Sequence, residues 1–115
     1  MTPQVCAIML TADRQQLTDR AVACFLSQTY KQSHLLIYDT GTKPYIFDRV
    51  ACGRIIIVRD GPEMKAPIGT LRNRANELAR GAEILVHMDS DDYSGPYRIQ
   101  DQVQTLLDSG RDCVG

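Results

Sequence analysis

Four short apolar runs, each almost unbroken, restrict the folds open to this chain. They are Val5-Cys6-Ala7-Ile8-Met9-Leu10, Leu35-Leu36-Ile37-Tyr38, Ile55-Ile56-Ile57-Val58 and Ile84-Leu85-Val86-His87-Met88. A strand with one wet face alternates apolar and polar residues, whereas a strand covered on both faces reads as a continuous run. These runs are of the second kind, so the chain is expected to build a parallel sheet with cover on both sides.

The segments between the runs carry the helical period. Leu17, Ala21, Cys24 and Phe25 recur at one-face spacing, as do Leu71, Ala75, Leu78 and Ala79. Gly81 follows the second set as a stop signal. A last helix is predicted from Pro96, with Ser94 as its cap and Ile99, Val103, Leu106 and Leu107 on its buried face. A further short strand is predicted to begin at Cys113. Gly41–Gly53 contains Pro44 and few helix formers, and reads as loop or short helix. Strands alternating with helices give an α/β fold with a mostly parallel sheet.

Composition narrows the function classes. The 115 residues suit one domain, and 43% of them are hydrophobic, enough for a packed core. With 13 basic and 14 acidic side chains the net charge is −1. No basic excess exists for nucleic-acid binding by counterion release. No run approaches the roughly 20 apolar residues of a membrane span, and the first residues lack a basic region typical of a signal peptide. Cys6, Cys24, Cys52 and Cys113 form no CxxC pair, and read as reduced structural thiols of a cytoplasmic protein.

In open α/β sheets, ligands bind at the carboxyl ends of the strands. Here each run delivers a carboxylate to that edge: Asp13, Asp39, Asp60, and the cluster Asp89-Ser90-Asp91-Asp92. Asp13 and Asp60 stand where turn or cap residues are expected. The cluster is different, because three neighbouring carboxylates repel one another and a hard divalent cation relieves that repulsion. Mg or Mn takes such oxygen ligands together with substrate phosphates. Arg72-Asn73 opens the second helix, where a cation and free backbone N–H groups can receive a phosphate or a base edge. His87 reads as a packed or hydrogen-bonded side chain, His34 as surface, and Lys65 as a solvated loop lysine. Neither a G-x-G-x-x-G fingerprint nor a Walker A loop is present.

Several stretches together resemble the nucleotide-sugar-binding half of inverting family 2 glycosyltransferases. Phe25-Leu26-Ser27-Gln28-Thr29-Tyr30 is similar to the family's helix-ending Q-T-Y stretch, and Tyr38-Asp39-Thr40-Gly41-Thr42 to its D-D-G-S. Gly69-Thr70-Leu71-Arg72-Asn73 resembles G-x-x-x-R-N with one residue fewer before the Arg, Val86-His87-Met88-Asp89-Ser90-Asp91 the D-x-D strand, and Pro96-Tyr97-Arg98-Ile99 the P-x-R-[LI] helix start. Asp13-Arg14 stands where the family usually has Asn-Arg.

The resemblance implies a Rossmann-like, three-layer GT-A fold. It further implies a nucleotide-diphosphate sugar (UDP-, GDP- or dTDP-linked) as donor, with an unspecified acceptor. Thr11, Asp13, Asp39, Thr40, Arg72, Asn73 and Asp89 would line the donor site. Asp89 and Asp91 would hold Mg or Mn, with Asp92 behind them. Thr40 departs from the family's second Asp, and Gly41–Gly53 departs from its usual helix. The general base of the family comes from a later segment, so none is expected before Gly115. Residues 1–115 are accordingly expected to be a single donor-binding domain cut before the acceptor half. Two other readings stand beside this one. One is a non-catalytic nucleotide- or metal-binding module. The other is a Mg-dependent phosphohydrolase, disfavoured because Thr11-Ala12 follows the first run where such enzymes place their catalytic Asp.

Overall fold

The computed structural model describes residues 3–47, 54–60, 67–79, 81–90 and 94–110. The first apolar run forms strand β1 (Val5–Thr11), followed by helix α1 (Gln15–Leu26) and strand β2 (Ser33–Asp39). Strand β3 (Ile55–Arg59), helix α2 (Ile68–Leu78), strand β4 (Ile84–His87) and helix α3 (Arg98–Ser109) complete the order. The strands lie side by side as β3-β2-β1-β4, and all three neighbouring pairs are parallel.

Alternate strand residues face opposite sides, and each side is covered by helix. On one side Val5, Ala7, Met9, Leu35 and Ile37 pack with Ala21, Val22 and Phe25 of α1 and with Ile99 and Val103 of α3. On the other, Cys6, Ile8, Leu36 and Tyr38 pack with Ala75 and Ala79 at α2. This is the three-layer α/β sandwich. Each fully buried Leu, Ile or Phe contributes about 1.5–3 kcal/mol over the exposed state.

The cover is less complete than the unbroken runs imply. β1 and β2 are buried on both faces, but Ile56 and Ile57 of β3 and Leu85 of β4 are exposed. The reason is position: β3 and β4 are the two edges of the sheet. Leu17, Leu78 and Leu107 are likewise exposed, although the helical period placed them on the apolar faces. Leu106 is half-buried.

Helix ends also differ from expectation. α3 begins at Arg98 rather than Pro96, and Ser94 does not cap it. Ser94 Oγ instead accepts from Arg98 Nη1 at 2.8 Å, while the free N–H of Ile99 is taken by Gln28 Oε1 at 3.0 Å. α2 stops at Leu78, and Gly81 adopts φ +119°, a conformation that glycine accepts at little cost. The described part of Gly41–Gly53, residues 41–47, holds no helix. Cys52, the remainder of that segment and the strand predicted at Cys113 lie outside the described residues. Among those described, Cys6 and Cys24 are free thiols.

Candidate functional site

The strand register sets the carboxyl edge. Thr11 pairs with Asp39, and Asp39 with Arg59, so three adjacent strands end in one row. β1 and β2 reach this row because Thr11 and Asp39 satisfy their polar groups locally. The Thr11 and Thr18 hydroxyls lie 2.7 Å apart, tying β1 to α1.

Asp39 is buried, and both oxygens of its carboxylate are hydrogen-bonded. Oδ1 accepts the Gly41 N–H at 2.9 Å; Oδ2 accepts the Tyr45 N–H at 2.7 Å and Arg59 Nη1 at 2.9 Å. Arg59 also donates to the Thr42 carbonyl at 3.2 Å. A buried charge persists only when paired and hydrogen-bonded, and here both conditions hold. Asp39 therefore folds the 41–45 turn around itself.

Asp13 grips the same turn from outside. It has φ +54°, a left-handed conformation that Asp tolerates better than most residues. Its carboxylate accepts the backbone N–H groups of Thr42 at 3.1 Å and Lys43 at 3.0 Å, and the Thr42 hydroxyl at 2.9 Å. The Lys43 and Thr42 N–H groups, helped by that hydroxyl, hold its pKa below the ordinary carboxylate value. Gln15 adds a second strap, accepting from the Ile46 N–H and donating to the Ile46 carbonyl. The Tyr45 hydroxyl donates to Asp19 at 2.7 Å. Thr40 is anchored through its N–H to the Thr11 carbonyl at 3.0 Å. A cavity of about 740 Å³ opens beside this assembly, lined by Asp13, Gln15 and residues 42–46.

The remaining predicted residues gather on the α2 side of the same edge. Arg72 Nη2 lies 3.6 Å from Asp89 Oδ1, with both side chains about half exposed. Asn73 is exposed one residue on, and the Asn76 amide oxygen is buried without a partner among the described residues. His87 is exposed rather than packed; partial burial, and then the Arg72 charge, lower its pKa against the opposing pull of Asp89. His34 is half-buried and bonded to Gln4, not a free surface group. Asp60 accepts from the buried Tyr38 hydroxyl, with Arg74 at 3.9 Å. Among the described residues no hydrogen bond or ion pair links Arg72 or Asp89 to Thr11, Asp13, Asp39 or Thr40. The site is thus two groups flanking one sheet edge.

Asp89 presents a hard oxygen donor to solvent at a strand end, which fits a cation that takes one or two carboxylates and keeps other positions for water or phosphate. Among the described residues no group of three or more His, Cys, Asp or Glu side chains converges on a metal position. Asp91, Asp92 and Lys65 lie outside the described residues. The sequence did not single out Arg59, whose role depends on the register between β2 and β3. Gln28 and Arg98 carried a signal only as parts of motifs.

Residues 6–115 match the family described as Glycosyl transferase family 2. No curated protein matches the chain. Among solved structures, the chain is similar to a mannosyltransferase from Pyrobaculum calidifontis in complex with GDP-Man and Mn2+. The TM-score is 0.66 at 16% identity, covering 92% of this chain and 33% of that one. The likeness shows the shared fold, and the chain spans about a third of that protein's length. Among the described residues, no helix is long and apolar enough to cross a membrane.

Proposed function

The chain belongs to glycosyl transferase family 2, and on that premise we propose that residues 1–115 form one domain that binds the nucleotide-diphosphate sugar donor for inverting transfer to an acceptor hydroxyl. The observation that carries this reading is the carboxyl edge, where Asp39, Asp13 and Thr40 shape a rigid turn and the Arg72–Asp89 pair stands across from it. The solved relative with GDP-Man and Mn2+ supports a donor of this chemical class.

In this reading the base and ribose lie against Thr11, Asp13 and the 40–45 turn. Asp39 acts by holding that turn, since its own oxygens are already occupied. Arg72 and Asn73, which stand in the second turn of α2 rather than at its opening because the helix already begins at Ile68, meet the diphosphate with a cation and a polar amide. Asp89 and Asp91 of the D-x-D motif hold Mg or Mn. When bound, the cation supplies Lewis-acid stabilisation of the charge that grows on the departing nucleoside diphosphate. Arg72 is then shared between Asp89 and phosphate oxygens. Asp108 bonds Gln104 on the exposed face of α3 and is not assigned as a base. The free Cys6 and Cys24 thiols agree with a cytoplasmic setting.

Calorimetry with UDP, GDP, dTDP and CMP, each with and without Mn2+, tests this reading. Binding of a nucleoside diphosphate that Mn2+ strengthens, with the Mn2+-dependent gain lost in Asp91→Ala, is the expected result. Folded protein that binds no diphosphate with any metal would refute it.

A further inference from the structure

Two stretches marked by their sequence, Gln28-Thr29-Tyr30 and Pro96-Tyr97-Arg98-Ile99, make no hydrogen bond to the donor-site residues named above among the described residues, yet the structure joins them around the end of β4. Gln28 is wholly buried and every polar atom of its amide is used. Nε2 donates to the Cys24 carbonyl at 3.1 Å and to the Gly95 carbonyl at 2.7 Å, while Oε1 accepts the Ile99 N–H. The neighbouring Thr29 N–H donates to the Pro96 carbonyl at 2.8 Å. The end of α1 thereby fixes the chain that enters α3.

Arg98 makes the second link. Its guanidinium donates through Nη2 to the His87 carbonyl at 2.7 Å and through Nη1 to Ser94 Oγ, whose side chain is buried. One planar fork thus ties the last residue of β4 to the approach of α3. Met88 is held from the other side, its N–H donating to the Ile8 carbonyl at 2.9 Å. Asp89 follows at once. The backbone before it and the backbone that returns into α3 are each held by side-chain hydrogen bonds.

We propose that Gln28 and Arg98 are positioning residues for the acidic end of β4: they fix the direction in which Asp89 leaves the sheet, and so the geometry in which its carboxylate meets a divalent cation. This rests on the reading of Asp89 and Asp91 as the metal-holding pair. Groups that orient a metal ligand without touching the metal commonly change metal affinity by about 10–100-fold when removed. A network that only stabilised the fold would lower all binding together.

The deciding experiment titrates Mn2+ into the chain saturated with whichever of UDP, GDP or dTDP it binds best, and compares nucleotide affinity without metal. Arg98→Met is expected to weaken Mn2+ binding about tenfold while metal-free nucleotide affinity stays within about twofold. Arg98→Lys, which keeps the charge but not the planar fork, is expected to fall between, and it decides the matter should Arg98→Met not fold. Wild-type Mn2+ affinity in a folded Arg98 variant overturns the proposal and leaves the donor reading intact. Equal loss of metal-free and metal-dependent binding overturns it too. A wild-type chain whose nucleotide binding ignores metal removes the metal reading first, and the positioning role falls with it.

Discussion

Arg59 Nη1 lies 2.9 Å from Asp39 Oδ2, joining the ends of two neighbouring strands across a carboxylate that is 1% exposed. The guanidinium itself is 30% exposed and keeps contact with solvent. The two ends of the pair should therefore respond unequally. Asp39→Ala strands the Gly41 and Tyr45 N–H groups and the Arg59 charge together, and is expected to cost about 3–5 kcal/mol. Arg59→Met leaves Asp39 with two backbone donors, and is expected to cost about 1.5–3 kcal/mol. Urea unfolding of both variants measures the ordering, and the reverse order would contradict the burial argument.

Gln28 offers a second test of stability, independent of any ligand. Gln28→Ala leaves the buried Ile99 N–H unpaired and takes one of two donors from the Gly95 carbonyl, which keeps the Arg98 N–H; the stranded donor alone costs about 1–3 kcal/mol. Gln100→Ala removes a neighbouring bond from Thr29 that is exposed, and is expected to change stability by less than about 0.5 kcal/mol. Thermal melting of the two variants should separate them clearly. Equal melting temperatures would mean that the buried amide is not bonded as described.

Two glycines make opposite predictions from the space around them. A Cβ at Gly41 would lie 2.6 Å from the Asp13 backbone nitrogen and 3.2 Å from the Ala12 carbonyl carbon, atoms that cannot yield without moving the turn. Gly41→Ala is expected to cost about 1–3 kcal/mol, with weakened nucleotide binding, because the turn is what it displaces. Gly69, in the first turn of α2, has nothing within 4 Å of its Cβ position. Gly69→Ala is expected to stabilise the chain by about 0.4–1 kcal/mol through the lower entropy of the unfolded chain. Chemical denaturation of both, with calorimetry on Gly41→Ala, checks the pair.

What could be read from the residues alone divides along physical lines. β1 and β2 were legible because burial on both faces leaves unbroken apolar runs, and the central position of these strands makes that signal true. The same signal overstated β3, where Ile56 and Ile57 face outward at the sheet edge. Helical period located α1, α2 and α3 but not how much of each stripe the sheet would cover, so Leu17, Leu78 and Leu107 were placed too deep. Asp13 and Asp39 were visible as carboxylates at the right edge. Their inward work was not, because it depends on N–H groups of the 41–45 turn and on Arg59, 20 residues beyond Asp39 and brought alongside only by strand register. The buried Gln28 bond to Ile99 spans 71 residues, a separation that local pattern cannot encode.

The Asp13 carboxylate titrates below its ordinary value of 3.8 because the Lys43 and Thr42 N–H groups and the Thr42 hydroxyl bind its charged form. Its folded pKa is lower than its unfolded one, so the unfolded chain binds the proton more readily. The stabilisation from this charge is therefore fully present above pH 3.8 and is lost as pH falls through the lowered folded value. Asp13→Asn keeps a side chain that tolerates positive φ and retains one oxygen acceptor, while removing the charge. Wild type is expected to be the more stable above about pH 5, and the gap should close as acid is added through and below the ordinary carboxylate value. Melting both proteins across that range measures the gap directly. A difference that stays constant throughout would show that the Asp13 contribution is carried by shape and not by its charge.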